Sequence, residues 1–231
     1  MNKDINIAVF TVHKAASTLI HKICKDISKI KGIDHYSKNY PKHYEFYFPK
    51  QQPPLNVNGI FAPLRYHVPV NEKCKKILHL RDPRDVLTSL YFSEAYSHRI
   101  NDEQHAIQRP LTQQMSIDDY VIHRASAFKD RYTSYIQHID GSTFVKYEDM
   151  VTRFPFWVCN FLQPFGFDDA DEVCNYLIDK YQNEFTVESE NVYNHKRQIA
   201  PGDHKRKLKP QTIDQLNSMF SNVMQVLDYS Y

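Results

Sequence analysis

Lys76-Ile77-Leu78-His79-Leu80-Arg81-Asp82-Pro83-Arg84-Asp85-Val86-Leu87-Thr88-Ser89 changes its period halfway along. Lys76 to Arg81 is a short apolar run and predicts a strand. Asp82 then stands at an N-cap position and Pro83 at the first helical position, a pair that starts a helix. The predicted helix carries Val86, Leu87, Leu90 and Tyr91. A strand that hands directly to a helix is a unit of a parallel α/β sheet, and such sheets bind ligands at the carboxyl ends of their strands. Arg81 sits at such an end, where a guanidinium can hold a phosphate through two parallel hydrogen bonds. Ser89 lies two turns into the helix. The same arginines and aspartates also suit an ion network at a helix start, so both readings stand at this point.

The pattern recurs at the beginning of the chain. Ile5 to Phe10 predicts a buried strand, and Ser17 to Ile30 predicts a helix with Leu19, Ile20, Ile23, Ile27 and Ile30 on one face. Between them lies the polar loop Thr11 to Ala16. The start of a helix offers unpaired N–H groups and the positive end of a dipole, which together bind phosphate or sulfate. Lys14 adds a charge there, and Ser17 and Thr18 add hydroxyl donors. The order is not G-x-x-x-x-G-K-[ST], because the lysine precedes the hydroxyls by three and four residues. Alone, the loop also fits an ordinary helix start with a solvated lysine.

Two more strands are expected, at Gly59 to Leu64 and at Thr143 to Tyr147. Helices are expected over Ser116 to Ile139, Met150 to Tyr181 and Pro210 to Leu227. Tyr36 to Pro54 shows no period and reads as an irregular surface segment. Asn194 to Lys209 is basic and, in isolation, reads as a solvated face. The fold class is α/β, with a central parallel sheet flanked by helices. No repeat or linker divides the chain, so residues 1–231 are expected to form a single domain.

Composition narrows the function classes. The formal net charge is only +2, which argues against nucleic acid or an anionic membrane as a partner. Glycine is scarce, at 5 residues, which weighs against a glycine-rich nucleotide loop. Cys24, Cys74, Cys159 and Cys174 are scattered without zinc-site spacing, so reduced thiols and no metal are expected. There is no signal-peptide core and no apolar run of about 18 residues, so a cytoplasmic protein is expected.

Taken together and in order, the motifs resemble those of the sulfotransferases that use 3′-phosphoadenosine-5′-phosphosulfate (PAPS). The family's P-K-S-G-T-T-W loop is matched by His13-Lys14-Ala15-Ala16-Ser17-Thr18-Leu19. Its R-[ND]-P-[RK]-D-x-x-x-S motif appears in full as Arg81 to Ser89. Its Y-E-D-[LM] is matched by Tyr147-Glu148-Asp149-Met150, and its C-terminal R-K-G-x-x-G-D-W-[KR] by Arg197 to Lys205. The resemblance implies a P-loop nucleotide-kinase-like fold. It implies that Lys14, Ala15, Ala16, Ser17 and Thr18 bind the 5′-phosphosulfate. It further implies that Arg81, Ser89 and Arg197 hold the 3′-phosphate, that Tyr147 lies by the adenine, and that no metal is required. Ala16 stands where the family has glycine, so its backbone is expected to keep a conformation open to L-residues. Leu19 stands where the family has a tryptophan.

Sulfonyl transfer rests on positioning and on cations aimed at the leaving oxygen, much as phosphoryl transfer does. Lys14 is the candidate stabiliser of the leaving phosphate. In many relatives the base is the histidine of a K-T-H-L-P segment, and Arg65-Tyr66-His67-Val68-Pro69 has that shape, so His67 is the first candidate. His98 and Glu94 are alternatives. The expected product is 3′-phosphoadenosine-5′-phosphate (PAP), and the expected acceptor is a hydroxyl or amine of a small molecule. The segments Tyr36 to Phe48 and Tyr91 to His105 are the expected acceptor walls. An ATP-dependent P-loop-like kinase and a non-catalytic nucleotide- or partner-binding protein are the competing readings.

Overall fold

The computed structural model describes residues 6–36, 59–68, 70, 72–97, 103–168, 171–186, 190–194 and 197–229. In chain order the elements are β1 (Asn6–Thr11), α1 (Ser17–Lys31), β2 (Asp34–Tyr36), β3 (Gly59–Leu64), β4 (Lys75–Leu80), α2 (Pro83–Phe92), α3 (Glu103–Gln114) and α4 (Ile117–Ile136). There follow β5 (Ser142–Lys146), α5 (Tyr147–Thr152), α6 (Phe154–Leu162), α7 (Glu172–Tyr181), α8 (Asp203–Lys207), α9 (Pro210–Met219) and α10 (Ser221–Val226). A π-helical turn, Ser93–Ser97, continues α2.

By internal contacts the chain divides into two compact units, Met1–Leu80 with Gln137–Gln182 and Arg81–Ile136 with Asn183–Tyr231. The first unit holds the whole sheet. Its strand order is β2-β3-β1-β4-β5, and every pairing is parallel. β1 is central, and Ile7 to Phe10 are fully buried, as a strand covered on both faces must be. α1 packs on β2 and β3, and α6 packs on β5. The stripe Leu19, Ile20, Ile23, Cys24 and Ile27 is the buried face of α1. Trp157, Phe161 and Phe165 fill the space along α6, with the Trp157 and Phe161 rings stacked at 4.6 Å. Asp26 of α1 accepts hydrogen bonds from Lys180 (2.6 Å) and Tyr181 (2.7 Å) of α7.

The second unit is helical. Val86, Leu87 and Leu90 of α2, Tyr120, Val121, Tyr132 and Tyr135 of α4, and Leu216, Phe220 and Met224 are among its buried residues. Ser116 caps α4: its hydroxyl accepts the Asp119 N–H at 3.1 Å and donates to the Asp119 carboxylate at 2.6 Å.

The expected α/β class and parallel sheet are present, and the four expected strands lie within a residue of their places. β2 was not foreseen: Ile33 to Tyr36 is too short to show a period. Gly59 explains how this edge strand fits, since a Cβ there would stand 2.6 Å from the Tyr36 ring and 2.9 Å from the Asp34 carbonyl. The acceptor-wall segment beyond Tyr36, as far as Phe48, lies outside the described residues.

The four cysteines are free thiols, and burial pushes Cys74 up to about 12. No helix among the described residues is long and apolar enough to cross a membrane. No His, Cys, Asp or Glu cluster among them could hold a metal ion.

Candidate active site

The loop after β1 turns tightly into α1, and two of its residues take left-handed conformations. Lys14 has φ 66° and Ala16 has φ 53°. The expectation for Ala16 is therefore corrected: the turn demands a positive φ, and an L-residue adopts it at a cost of about 1–2 kcal/mol. The Ala16 carbonyl accepts the Leu19 and Ile20 N–H groups at 2.8 and 3.1 Å, so α1 begins at once. No side chain caps the helix. Ala15 is fully buried, Lys14 is half-buried and Thr18 is exposed. Ala16→Gly is expected to relieve the strain and raise the thermal midpoint by about 2–4 °C. A lower midpoint in a melting curve would show that the alanine methyl is needed.

Arg65 joins this loop, and sequence reasoning passed over it. Its Nη2 donates to Ser17 Oγ at 3.0 Å. The signal was available: Arg65 follows the last residue of β3, as Arg81 follows the last residue of β4, and both strands end at the sheet's carboxyl edge.

His67 lies three residues beyond β3. Its ring stacks on His138 (centroids 3.8 Å apart) and on Phe10 (5.5 Å). Burial, with the nearby charges of His138 and Lys76, pushes its pKa down to about 4. His138 precedes β5, Lys76 is the second residue of β4, and Phe10 is the last but one residue of β1. The run from β3 to β4 must cross the sheet from edge to edge, and His67 lies near its start. His98 lies outside the described residues.

Tyr147 is 5% exposed, and its ring meets His79 edge-on at 6.4 Å. It opens α5 as a core residue of the first unit.

In the second unit, the two arginines of the Arg81 to Ser89 segment divide the two readings between them. Arg84 serves the ion network: it donates to the Asp82 carboxylate through Nε (3.0 Å) and Nη2 (2.6 Å), and to Asn217 Oδ1 at 2.7 Å. Asp82 also caps α2 by accepting the Arg84 N–H at 2.9 Å. Arg81 faces Asp85, with its Nη2 3.7 Å from the carboxylate. Ser89 is half-buried, and its hydroxyl makes no hydrogen bond among the described residues.

Asp85 ties α2 to the C-terminal motif. It accepts the Gly202 N–H at 2.7 Å, the His204 N–H at 2.9 Å and the His204 ring at Nδ1 at 2.6 Å. Burial acts to raise its pKa, but the His204 bonds and the Arg81 charge outweigh it and hold the carboxyl well below the usual range. Arg197 lies over the Phe92 ring at 4.0 Å and pairs with Glu190 and Asp203. The motif arginine, Ser89's helix and the Gly202 turn are thus one connected structure. Asp85, Asp203 and Glu190 were not singled out from sequence, because their partners lie far along the chain.

Glu94 sits in the π-helical turn beyond Ser89, a feature that recurs at functional sites. Its carboxylate accepts the Tyr120 hydroxyl at 2.6 Å and pairs with Arg124 at 3.4 Å. Tyr91, Phe92 and Tyr96, its neighbours in the chain, form an aromatic cluster that Tyr193 joins through Tyr96.

Comparison with known proteins agrees with the motifs. A family model described as "Sulfotransferase domain" matches residues 8–228. The fold matches the crystal structure of mouse sulfotransferase SULT7A1 complexed with PAP, with a TM-score of 0.67 at 15% identity over 99% of this chain and 86% of that one. It also matches retinol dehydratase in complex with androsterone and inactive cofactor PAP, with a TM-score of 0.61 at 12% identity over 98% of this chain and 82% of that one. Retinol dehydratase with retinol and PAP matches with a TM-score of 0.58 at 12% identity, over 100% of this chain and 84% of that one. A search of the curated proteins finds no match. The family match runs through all four motifs and nearly the whole length of the chain, which therefore belongs to the sulfotransferase-domain family.

Proposed function

We propose that this sulfotransferase takes its sulfonyl group from PAPS and passes it to a hydroxyl or amine of a small-molecule acceptor. The observation that carries the reading is on α2. Arg81, at its start, and Arg197, over its Phe92, are buried arginines, and the Ser89 hydroxyl on the same helix has no partner among the described residues. Two buried guanidiniums and an open hydroxyl suit a dianionic phosphate, and a 3′-phosphate is what distinguishes PAPS from ATP. The 5′-phosphosulfate is assigned to the loop: Lys14, Ser17 and Thr18 by side chain, Ala15 and Ala16 by N–H, and Arg65 beside Ser17. That the similar solved structures hold PAP supports the same donor.

In the transfer, the acceptor's oxygen or nitrogen attacks sulfur in line. The bond from sulfur to the 5′-phosphate oxygen breaks, and PAP leaves with that electron pair. Lys14 stabilises the charge that grows on the leaving oxygen. Glu94 takes the acceptor's proton: its carboxylate is oriented by Tyr120, the arrangement of a base held by a third group. The cluster of Tyr91, Phe92, Tyr96 and Tyr193 is assigned to the acceptor's apolar body. Androsterone and retinol, held by the retinol dehydratase structures, are small apolar alcohols of that kind.

The test is incubation with PAPS and a mixture of small alcohols, phenols and amines, with mass spectrometry of the products. A sulfated product and an equal amount of PAP are expected; PAPS left intact with every acceptor would contradict the reading. For the base, Glu94→Gln is expected to lower kcat about 10²-fold and remove the limb of the pH–rate profile due to the base. His67→Ala is expected to keep that limb. The reverse pattern would return the role to His67.

A further inference from the structure

His79 stands in β4, opposite Thr11 of β1 in the parallel register, and none of its surface is exposed. One ring nitrogen is already engaged. The Trp157 indole N–H donates to Nδ1 at 3.2 Å. A neutral imidazole that accepts at Nδ1 carries its proton on Nε2. Burial keeps the ring neutral, pushing its pKa down to about 3, with the Ala15 backbone acting in the opposite sense. A backbone group that favours the protonated ring is a carbonyl. Nε2 is buried and completes no regular hydrogen bond, so the Ala15 carbonyl is the polar group available to it. A buried donor without a partner calls for an explanation that packing alone does not supply.

Ala15 lies between the two left-handed residues, Lys14 and Ala16. The peptide from Ala15 to Ala16 is planar and trans, so its C=O and N–H point in opposite directions. A carbonyl drawn inward to His79 turns the Ala16 N–H outward, to where an anion sits at the start of α1. We propose that His79 is a positioning residue: its Nε2–H holds the Ala15 carbonyl and so aims the Ala16 N–H at the donor's 5′-phosphosulfate. The assignment rests on the loop's binding the 5′ end of PAPS. It also explains how a loop with alanine in place of glycine keeps its shape. Under this proposal the left-handed Ala16 is steadied by a polar contact from below that a Val or Leu in this strand could not make. Trp157 acts one step further back by fixing the tautomer.

The test titrates PAP and adenosine 3′-monophosphate in parallel by calorimetry. The second nucleotide lacks the 5′ group and cannot engage the loop. His79→Leu is expected to weaken PAP about tenfold and leave adenosine 3′-monophosphate within about twofold. His79→Gln, whose amide nitrogen reaches about as far as Nε2, is expected to restore PAP to within about threefold of wild type. Unchanged PAP affinity in His79→Leu, or equal weakening of both nucleotides, would overturn the proposal. Should that variant not fold, Trp157→Phe decides. It releases the tautomer, and a weaker PAP with unchanged adenosine 3′-monophosphate is expected, while unchanged PAP overturns the idea. Wild-type protein that binds PAP no more tightly than adenosine 3′-monophosphate would instead sink the reading of the loop, before any variant is made.

Discussion

Lys14→Ala is expected to lower kcat with PAPS by about 10²–10³-fold while leaving the thermal midpoint close to that of wild type. The size follows from the role. Charge grows on one oxygen as the sulfonyl group departs, and a cation aimed at that oxygen acts mainly in the transition state. PAP affinity should therefore fall less than turnover does. Stability should hold because Lys14 is half-buried and its left-handed backbone costs an alanine no more than a lysine. Single-turnover kinetics and a melting curve check both halves. Near-normal turnover in a folded variant would remove Lys14 from the chemistry.

Asp85→Ala is expected to cost about 3–5 kcal/mol of stability, the largest structural effect of any single change discussed. The carboxylate is fully buried and accepts three hydrogen bonds from Gly202 and His204 beside the Arg81 charge. Its loss leaves the Gly202 and His204 N–H groups and the His204 ring without this acceptor and removes the charge that faces Arg81. Asp85→Asn keeps one acceptor and should cost less. Because the folded carboxyl titrates below the ordinary value of about 4, its stabilisation is complete above that pH and fades as pH falls through the folded value. Urea melts at neutral and acid pH read both effects, with the acid loss smaller in the variants. A variant as stable as wild type would show that the link from α2 to the Gly202 turn carries no weight.

The parallel sheet was legible because its central strands are covered on both faces and so appear as continuous apolar runs. β1 and β4 were visible for that reason. β2 was not, because three residues, Asp34–Tyr36, cannot display a period. The turn that carries Arg81 and Ser89 was legible because an N-cap and a proline mark the passage from strand to helix. The left-handed Ala16 was misjudged because an alanine does not announce its φ; only the geometry of the turn sets it. Asp85 with His204, Arg65 with Ser17, and His79 with Trp157 were not legible, because each joins residues distant in the chain. The contacts of His67 with Phe10 and His138 were hidden for the same reason.

The most direct test of the central claim is calorimetric titration with PAP and with ATP, each with magnesium and with a chelator. PAP is expected to bind at least tenfold more tightly than ATP and to be indifferent to magnesium, with Arg81→Ala abolishing the difference between the two nucleotides. ATP binding as tightly as PAP, or PAP binding that requires magnesium, would contradict a PAPS-dependent sulfotransferase.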